Sequence, residues 1–288
     1  MYPQTTPTFF YAMTISESTL RKDTKLTQSY IDKECAQKIL SPYKSKVSEL
    51  VDRTIDVRQL HEVNRVVFAS DVLSKQIPSS YAANAFVTTR IGLIHIEIIK
   101  LISLWDKGND GCGIMGIIGD LESNKSILEA IKTDTFHRRN QIGKSFFGEK
   151  HTEEEKKYFI EYIKRKTEEE AHQIVQEREL EFKKIIDKAR ELHNSSNFTG
   201  LYDLRTKLAH PTQRPRETVK RQKENPDLVL PDLNFNLLDS FLSDTVEIVK
   251  QLHLCIEGAG FTWNDHQKMW EDYSKELWEN CTFSIPQA

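Results

Sequence analysis

The chain has 288 residues, of which 38% are hydrophobic and 29% charged, with a formal net charge of −3. That length suits one large domain or two small ones, and the balance is that of a soluble globular protein. No overall basic excess advertises nucleic-acid binding, so any RNA contact has to use a local patch.

Residues 1–27 are rich in Thr, Ser and Pro and are expected to be loosely ordered. They lack the basic start and long apolar run of a signal peptide. From Ser29 the pattern turns helical: Ile31, Cys35 and Ile39, then Val47, Leu50 and Val51, recur at three- and four-residue steps, with Pro42 predicted to break the run. Val57 to Gln76 continues the periodicity through Leu60, Val63, Val67, Val72 and Leu73 and stops before Pro78. Ser79 or Ser80 is placed to cap the next helix, about Tyr81 to Asp106. Phe86, Val87, Ile91, Leu93, Ile94, Ile98 and Leu101 make that helix apolar around much of its circumference, the profile of a central buried helix.

Residues 107–123 read as a glycine-rich connection, followed by a short helix capped by Asn124 and carrying Ile127, Leu128 and Ile131. Residues 150–193 form a highly charged segment, either one long helix or a hairpin. Within it Phe182, Ile185, Ala189 and Leu192 make a stripe suited to packing on a neighbouring helix. Ser195 or Ser196 is positioned to cap a further helix, and a polar loop then runs from Pro211 to about Asn234. Two more helices are expected, Leu237–Ile256, ended by Gly258 and Gly260, and Trp263–Glu279. No stretch alternates with period two, so the fold class is all-α. The expected organisation is one helical domain over residues 28–256 with a charged insertion at about 150–193, and a C-terminal helix within 257–288 packing on it.

Most of the chemistry-bearing patterns do not hold up. Gly111-Cys112-Gly113-Ile114-Met115-Gly116 has the spacing of a dinucleotide fingerprint, but that motif needs a preceding strand and a βαβ unit, and here a helix precedes it. A flexible interhelical loop is the better reading. Glu169-Glu170-Ala171-His172 has the spacing of a di-iron ligand pair but lacks a second copy on another helix. Cys35, Cys112, Cys255 and Cys281 are far apart, which fits reduced thiols and argues against a zinc site. No metal and no cofactor are expected. The longest apolar run, Ile91–Trp105, is interrupted by His95, Glu97 and Lys100 and is too short to span a bilayer, so no membrane association and a cytoplasmic location are expected.

The best candidate site is Asp203-Leu204-Arg205-Thr206-Lys207-Leu208-Ala209-His210-Pro211. On a regular helix a separation of five sets Arg205 and His210 about 140° apart. Pro211 disfavours the α region for His210, which frees its imidazole to swing towards Arg205. The same residues also suit a plainer reading, a surface arginine and a C-terminal histidine favoured by the helix dipole. Arg90…His95 and Arg165…His172 also fit an Arg-x4–6-His pattern, but the first lies inside a long apolar helix and the second in a charge-dense stretch that reads as solvated helix. Just beyond the motif, Arg214, Arg216, Lys220 and Arg221 form either a local RNA-binding patch or a solvated loop.

The order of these features resembles the HEPN superfamily, and within it the AbiU-like branch of abortive-infection proteins. The matching segments are the apolar helix Arg90–Asp106, the short helix Ser126–Lys132 and the late Tyr202–His210. The resemblance implies an antiparallel helical bundle, with a long charged helical hairpin or extension, and a metal-independent endoribonuclease whose motifs meet at a homodimer interface. It places catalytic roles on Arg205 and His210, with Thr206 and Lys207 supporting. Thr206 stands where the family often has Asn or Asp, and Thr212 where members with a nucleotidyltransferase antitoxin often have tyrosine. RNA would be the substrate, and an antitoxin or a phage-derived trigger a possible partner. The superfamily also contains inactive members, so a scaffold that binds nucleic acid or protein without cutting is the alternative.

Overall fold

The computed structural model describes residues 31–77, 79–107, 111–141, 153–209, 223, 235–260 and 263–283. These fall within one compact unit that begins at Ile31. The described elements are all helical: α1 (Lys33–Ala69), α2 (Asp71–Gln76), α3 (Tyr81–Ser103), α4 (Ile114–Ser123), α5 (Lys125–Gln141), α6 (Glu153–His193), α7 (Ser196–Ala209), α8 (Phe235–Glu257) and α9 (Trp263–Asn280). The all-α bundle expected from the sequence is what the structure contains.

The helices start where short polar side chains can satisfy their orphan amides. Asp32 accepts from the Glu34 and Cys35 amides, Ser70 from Leu73, Ser80 from Ala83, Asn124 from Ser126 and Ser195 from Phe198. Gly258, at φ 72°, follows the end of α8, in the left-handed conformation that glycine adopts without a Cβ penalty.

Cross-helix contacts give the direction of packing. Going up α1, Arg53 meets Ser103, Asp56 meets Lys100, His61 meets Glu97, Asn64 meets Leu93 and Phe68 meets Arg90, so α1 and α3 run antiparallel. Lys132 with Glu179 and Phe136 with His172 do the same for α5 and α6. Arg178 with Leu254 and Lys188 with Asp244 do it for α6 and α8.

Three expectations are corrected. Pro42 does not break the first helix, which runs unbroken for 37 residues and is the one that contacts α3, α4, α5, α8 and α9. The central helix is therefore α1. Helix α3, the apolar one, buries only Glu97, Ile98, Leu101 and Ile102 and touches chiefly α1 and α7. Its N-terminal two-thirds lies at the surface, with Val87 48%, Ile91 47% and Ile96 48% exposed. Hydropathy reports what a face can bury, and a covering partner need not come from the same chain.

The third correction is the glycine-rich stretch, which contains α4 and a close-packed corner instead of a flexible loop. Gly111 takes φ 65°, and a Cβ on Gly116 would press on the Gly111 backbone. A Cβ on Gly113 would overlap the carbonyl oxygen of Asp106. The spacing that mimics a phosphate loop is a packing device. The charged segment is one 41-residue helix, about 60 Å long, and no hairpin. Its buried face, Ala171, Val175, Phe182, Ile185 and Ala189, includes most of the expected stripe, and Leu192 packs at the core's edge. Its first turns carry exposed Tyr158, Phe159 and Ile160 beyond the core.

The core contains one ionic cluster. His61, fully buried, reaches Glu97 Oε1 at 2.7 Å through Nδ1 and Asp239 Oδ1 at 2.9 Å through Nε2, and its ring stacks on Phe235 at 4.9 Å. Asn64 donates to the other oxygen of Glu97. These contacts tie α1, α3 and the start of α8 together. A second group joins α9: Arg65 pairs with buried Glu62 and with Glu271. Burial works against the charged Arg65, but the two carboxylates outweigh it and raise its pKa further. The hydrogen bond from Lys275 and the nearby Arg65 hold the Glu271 carboxyl below the ordinary carboxylate range.

Removing one partner of a buried pair strands the other. His61→Ala is expected to cost about 3–5 kcal/mol in urea unfolding. Lys100→Ala, which breaks an exposed pair with Asp56, should cost about 1 kcal/mol or less. Because the Glu271 carboxyl is lowered in the folded state, its contribution is present above the ordinary carboxylate range and is lost as pH falls through its own lower value. Hydrogen-exchange protection at residues 263–280, taken relative to the intrinsic rate at each pH, should fall ahead of the core's as pH drops below about 4.

Candidate functional site

The end of α3 is fixed before any catalytic group is considered. Trp105, 2% exposed, inserts between helices and its indole N–H donates to Thr245 Oγ1 at 3.2 Å. Its ring lies 5.8 Å from Phe198 at the start of α7, 5.7 Å from Phe241 on α8 and 6.3 Å from His193 at the end of α6. The Ile114 amide donates to the Leu104 carbonyl, and Gly113 lets the chain pass against Asp106. Asp106 is thus held at a defined point just past the helix.

Arg205, two turns from the start of the motif helix, is half-buried and points back along α7, as helical side chains do. Its Nη2 donates to Asp106 Oδ2 at 2.7 Å, and its guanidinium lies 5.9 Å from the Tyr202 ring centre. With the partners 27% and 34% exposed, this pair contributes about 1 kcal/mol or less to stability. What the pair fixes is the guanidinium's orientation. Thr206 donates its hydroxyl hydrogen to the Tyr202 carbonyl at 2.9 Å, so its remaining capacity is as an acceptor. Lys207 is exposed. His210, Arg214, Arg216, Lys220 and Arg221 lie outside the described residues, so the convergence of Arg205 with His210 and the basic patch rest on sequence.

The direction of α7 follows from its contacts. It packs along α3, yet its first turn meets Trp105, beyond α3's C-terminal end. It therefore runs back antiparallel to α3. Its fourteen residues cover about 20 Å.

Beside Arg205 lies a cavity of about 240 Å³. Trp105, His193, Phe198 and Tyr202 give it aromatic walls, and Asp106, Lys107, Thr199 and Asp203 give it polar ones. Asp203 and Thr199 are buried, at 2% and 4% exposure. His193, Asp106 and this cavity carry no signal of their own in the sequence. Asp106 and Asp203 stand in the segments that match the family, but only the antiparallel course of α3 and α7 makes them neighbours.

The two other Arg-His pairs have structural roles. The Arg90 guanidinium lies 4.2 Å above the Phe68 ring and donates to the Phe68 carbonyl, and His172 of α6 packs on Phe136 at 5.1 Å. Among the described residues no group of His, Cys, Asp and Glu is arranged to hold a metal ion. None of the four cysteines is in a disulfide, and burial pushes the Cys255 thiol pKa up. No described helix is long and apolar enough to cross a membrane.

Asp106→Asn should change stability by about 1 kcal/mol or less, because the pair it breaks is half-exposed. Gly113→Ala should cost about 1–3 kcal/mol, since the new methyl group overlaps the Asp106 backbone and the corner must shift. Thermal unfolding of both variants checks the contrast.

The chain matches the family model described as AbiU2, a HEPN family, over residues 41–277. No curated protein and no solved structure matches it. The matched span runs from the third turn of α1 into the last turn of α9 and includes both α3 and α7. On that coverage the chain belongs to the AbiU2 family of HEPN proteins.

Proposed function

We propose that the protein is a metal-independent endoribonuclease, acting as a toxin or effector in abortive infection, whose active site is completed by a second copy of the chain. The observation that carries the reading is Arg205, held on the motif helix by Asp106 at the edge of a cavity while remaining partly open to solvent. A guanidinium in that setting can turn its free N–H groups to a phosphate as charge builds in the transition state. His210, five residues on, would remove the proton from a ribose 2′-hydroxyl or donate one to the leaving oxygen. Concerted acid and base roles need two imidazoles, which a symmetric pair of chains supplies. Lys207 would add positive charge near the RNA backbone, and Arg214, Arg216, Lys220 and Arg221 would extend it.

The surface of α3 supports the two-copy arrangement. Over its first 19 residues the ionisable side chains are Arg90, His95 and Glu97. Arg90 is folded onto Phe68, and Glu97 is buried. On one outward face Val87 and Ile91 stand a turn apart, with Gly92 beside them leaving room for close approach. A face almost free of charge can meet its own copy without like-charge repulsion, as an isologous contact requires.

One observation favours the alternative, a HEPN scaffold that binds without cutting: the Arg205 charge is already answered by Asp106. Variants separate the two. In chelator, Arg205→Ala and His210→Ala should each lower cleavage of a mixed RNA by about 10²-fold or more, with DNA untouched. Equal loss in chelator for the wild type, or cleavage of DNA, contradicts the proposal. Ile91→Lys should shift the chain from dimer to monomer in light scattering and lower cleavage with it; a dimer unaffected by Ile91→Lys and Ile96→Lys places the contact elsewhere.

A further inference from the structure

We propose that the cavity beside Arg205 binds one unpaired guanine base of the RNA, and so sets where the strand is cut. The inference rests on the ribonuclease reading for its consequence, though not for the binding itself. At about 240 Å³ the cavity is smaller than a site for a drug-sized ligand and suits one flat base. Trp105 and Phe198 back the cavity as a buried aromatic wall, and the half-buried Tyr202 and His193 at its edge are the rings that a planar group can reach. Stacking on aromatic side chains is how single-stranded RNA bases are held once they leave the helix.

The polar groups select among bases. Asp106 and Asp203 present carboxylates, which accept hydrogen bonds. Asp106 uses Oδ2 for Arg205, but a carboxylate has about four acceptor positions, so the group retains capacity. Thr199 spends its hydroxyl hydrogen on the Ser195 carbonyl, at 3.0 Å, and faces the cavity as an acceptor. Lys107 is the cation of the lining. The cavity therefore offers several acceptors and one ammonium donor, beside the Tyr202 hydroxyl and the His193 ring. Guanine carries the complement on one edge: two adjacent donors, N1–H and the N2 amino group, beside the acceptor O6. A single carboxylate can take both donors while an ammonium group meets O6. Adenine and cytosine offer an amino group next to an unprotonated ring nitrogen, which faces a carboxylate lone pair to lone pair. Uracil offers one donor between two acceptors. A phosphate group is disfavoured by the two carboxylates, which leaves the backbone to Arg205 at the rim.

The test titrates the full-length protein with the 3′-monophosphates of guanosine, inosine, adenosine, cytidine and uridine by calorimetry. All five carry the same phosphate, so differences report the base. Guanosine monophosphate is expected to bind at least about tenfold tighter than the adenosine, cytidine and uridine forms. Inosine monophosphate, which lacks the N2 amino group, should fall between. Asp106→Asn should erase the preference, and Lys107→Ala, at an exposed position, should weaken guanosine binding without lowering the melting temperature. Equal affinity for all five, or no binding at millimolar concentration, overturns the assignment. Guanosine binding without RNA cleavage would leave this site standing and remove the ribonuclease reading. Cleavage without any base preference would do the reverse.

Discussion

The site depends on the burial of Trp105. Its ring is shared by the end of α6, the start of α7 and the middle of α8, and its one polar atom is satisfied by Thr245. A large aromatic side chain so placed contributes far more than the half-exposed ion pair it positions. The order of causes is thus packing first and chemistry second. Because Trp105 is fixed, Asp106 is fixed. Because α7 starts against the same ring and runs back along α3, Arg205 comes within reach of Asp106. Gly113 completes the arrangement by leaving the Asp106 backbone the space that any side chain would take.

The His61 cluster does related work midway along the α1–α3 ladder. A histidine between two carboxylates fixes the rotation of three helices at once, because each ring nitrogen has one defined partner. Such a cluster is poor evidence for stability in itself, since apolar packing can do as well, but it specifies register. The α1–α3 ladder, from Arg53 with Ser103 to Phe68 with Arg90, is the register that results. It also keeps Glu97 inside, which strips the outer face of α3 of charge.

Much of the fold was legible in the sequence because capping and periodicity are local. Ser80, Asn124, Ser195 and Gly258 mark helix ends through interactions within a few residues. Pro42 misled because a proline costs a helix only what neighbouring contacts do not restore, and α1 is packed by five others. The apolar circumference of α3 misled for a different reason: a pattern of hydropathy does not say which molecule supplies the cover. The glycines at 111, 113 and 116 could not be read at all, since their need arises from the backbone of Asp106 and of the corner itself. Arg205 was legible as a family position. Its partner Asp106, 99 residues away, and the cavity next to them were not, because they exist only once α7 folds back on α3.

In the proposed mechanism Arg205 meets a phosphate and His210 a 2′-hydroxyl, and that mechanism has one chemical consequence that no metal-dependent nuclease shares. The attacking nucleophile is internal to the RNA. The most direct measurement is the identity of the new ends, read by mass spectrometry of a short RNA after incubation with the purified protein in excess chelator. The account predicts a 2′,3′-cyclic phosphate on one fragment and a 5′-hydroxyl on the other. Fragments bearing a 3′-hydroxyl and a 5′-phosphate would contradict it, because they require attack by an external water in place of the 2′-hydroxyl.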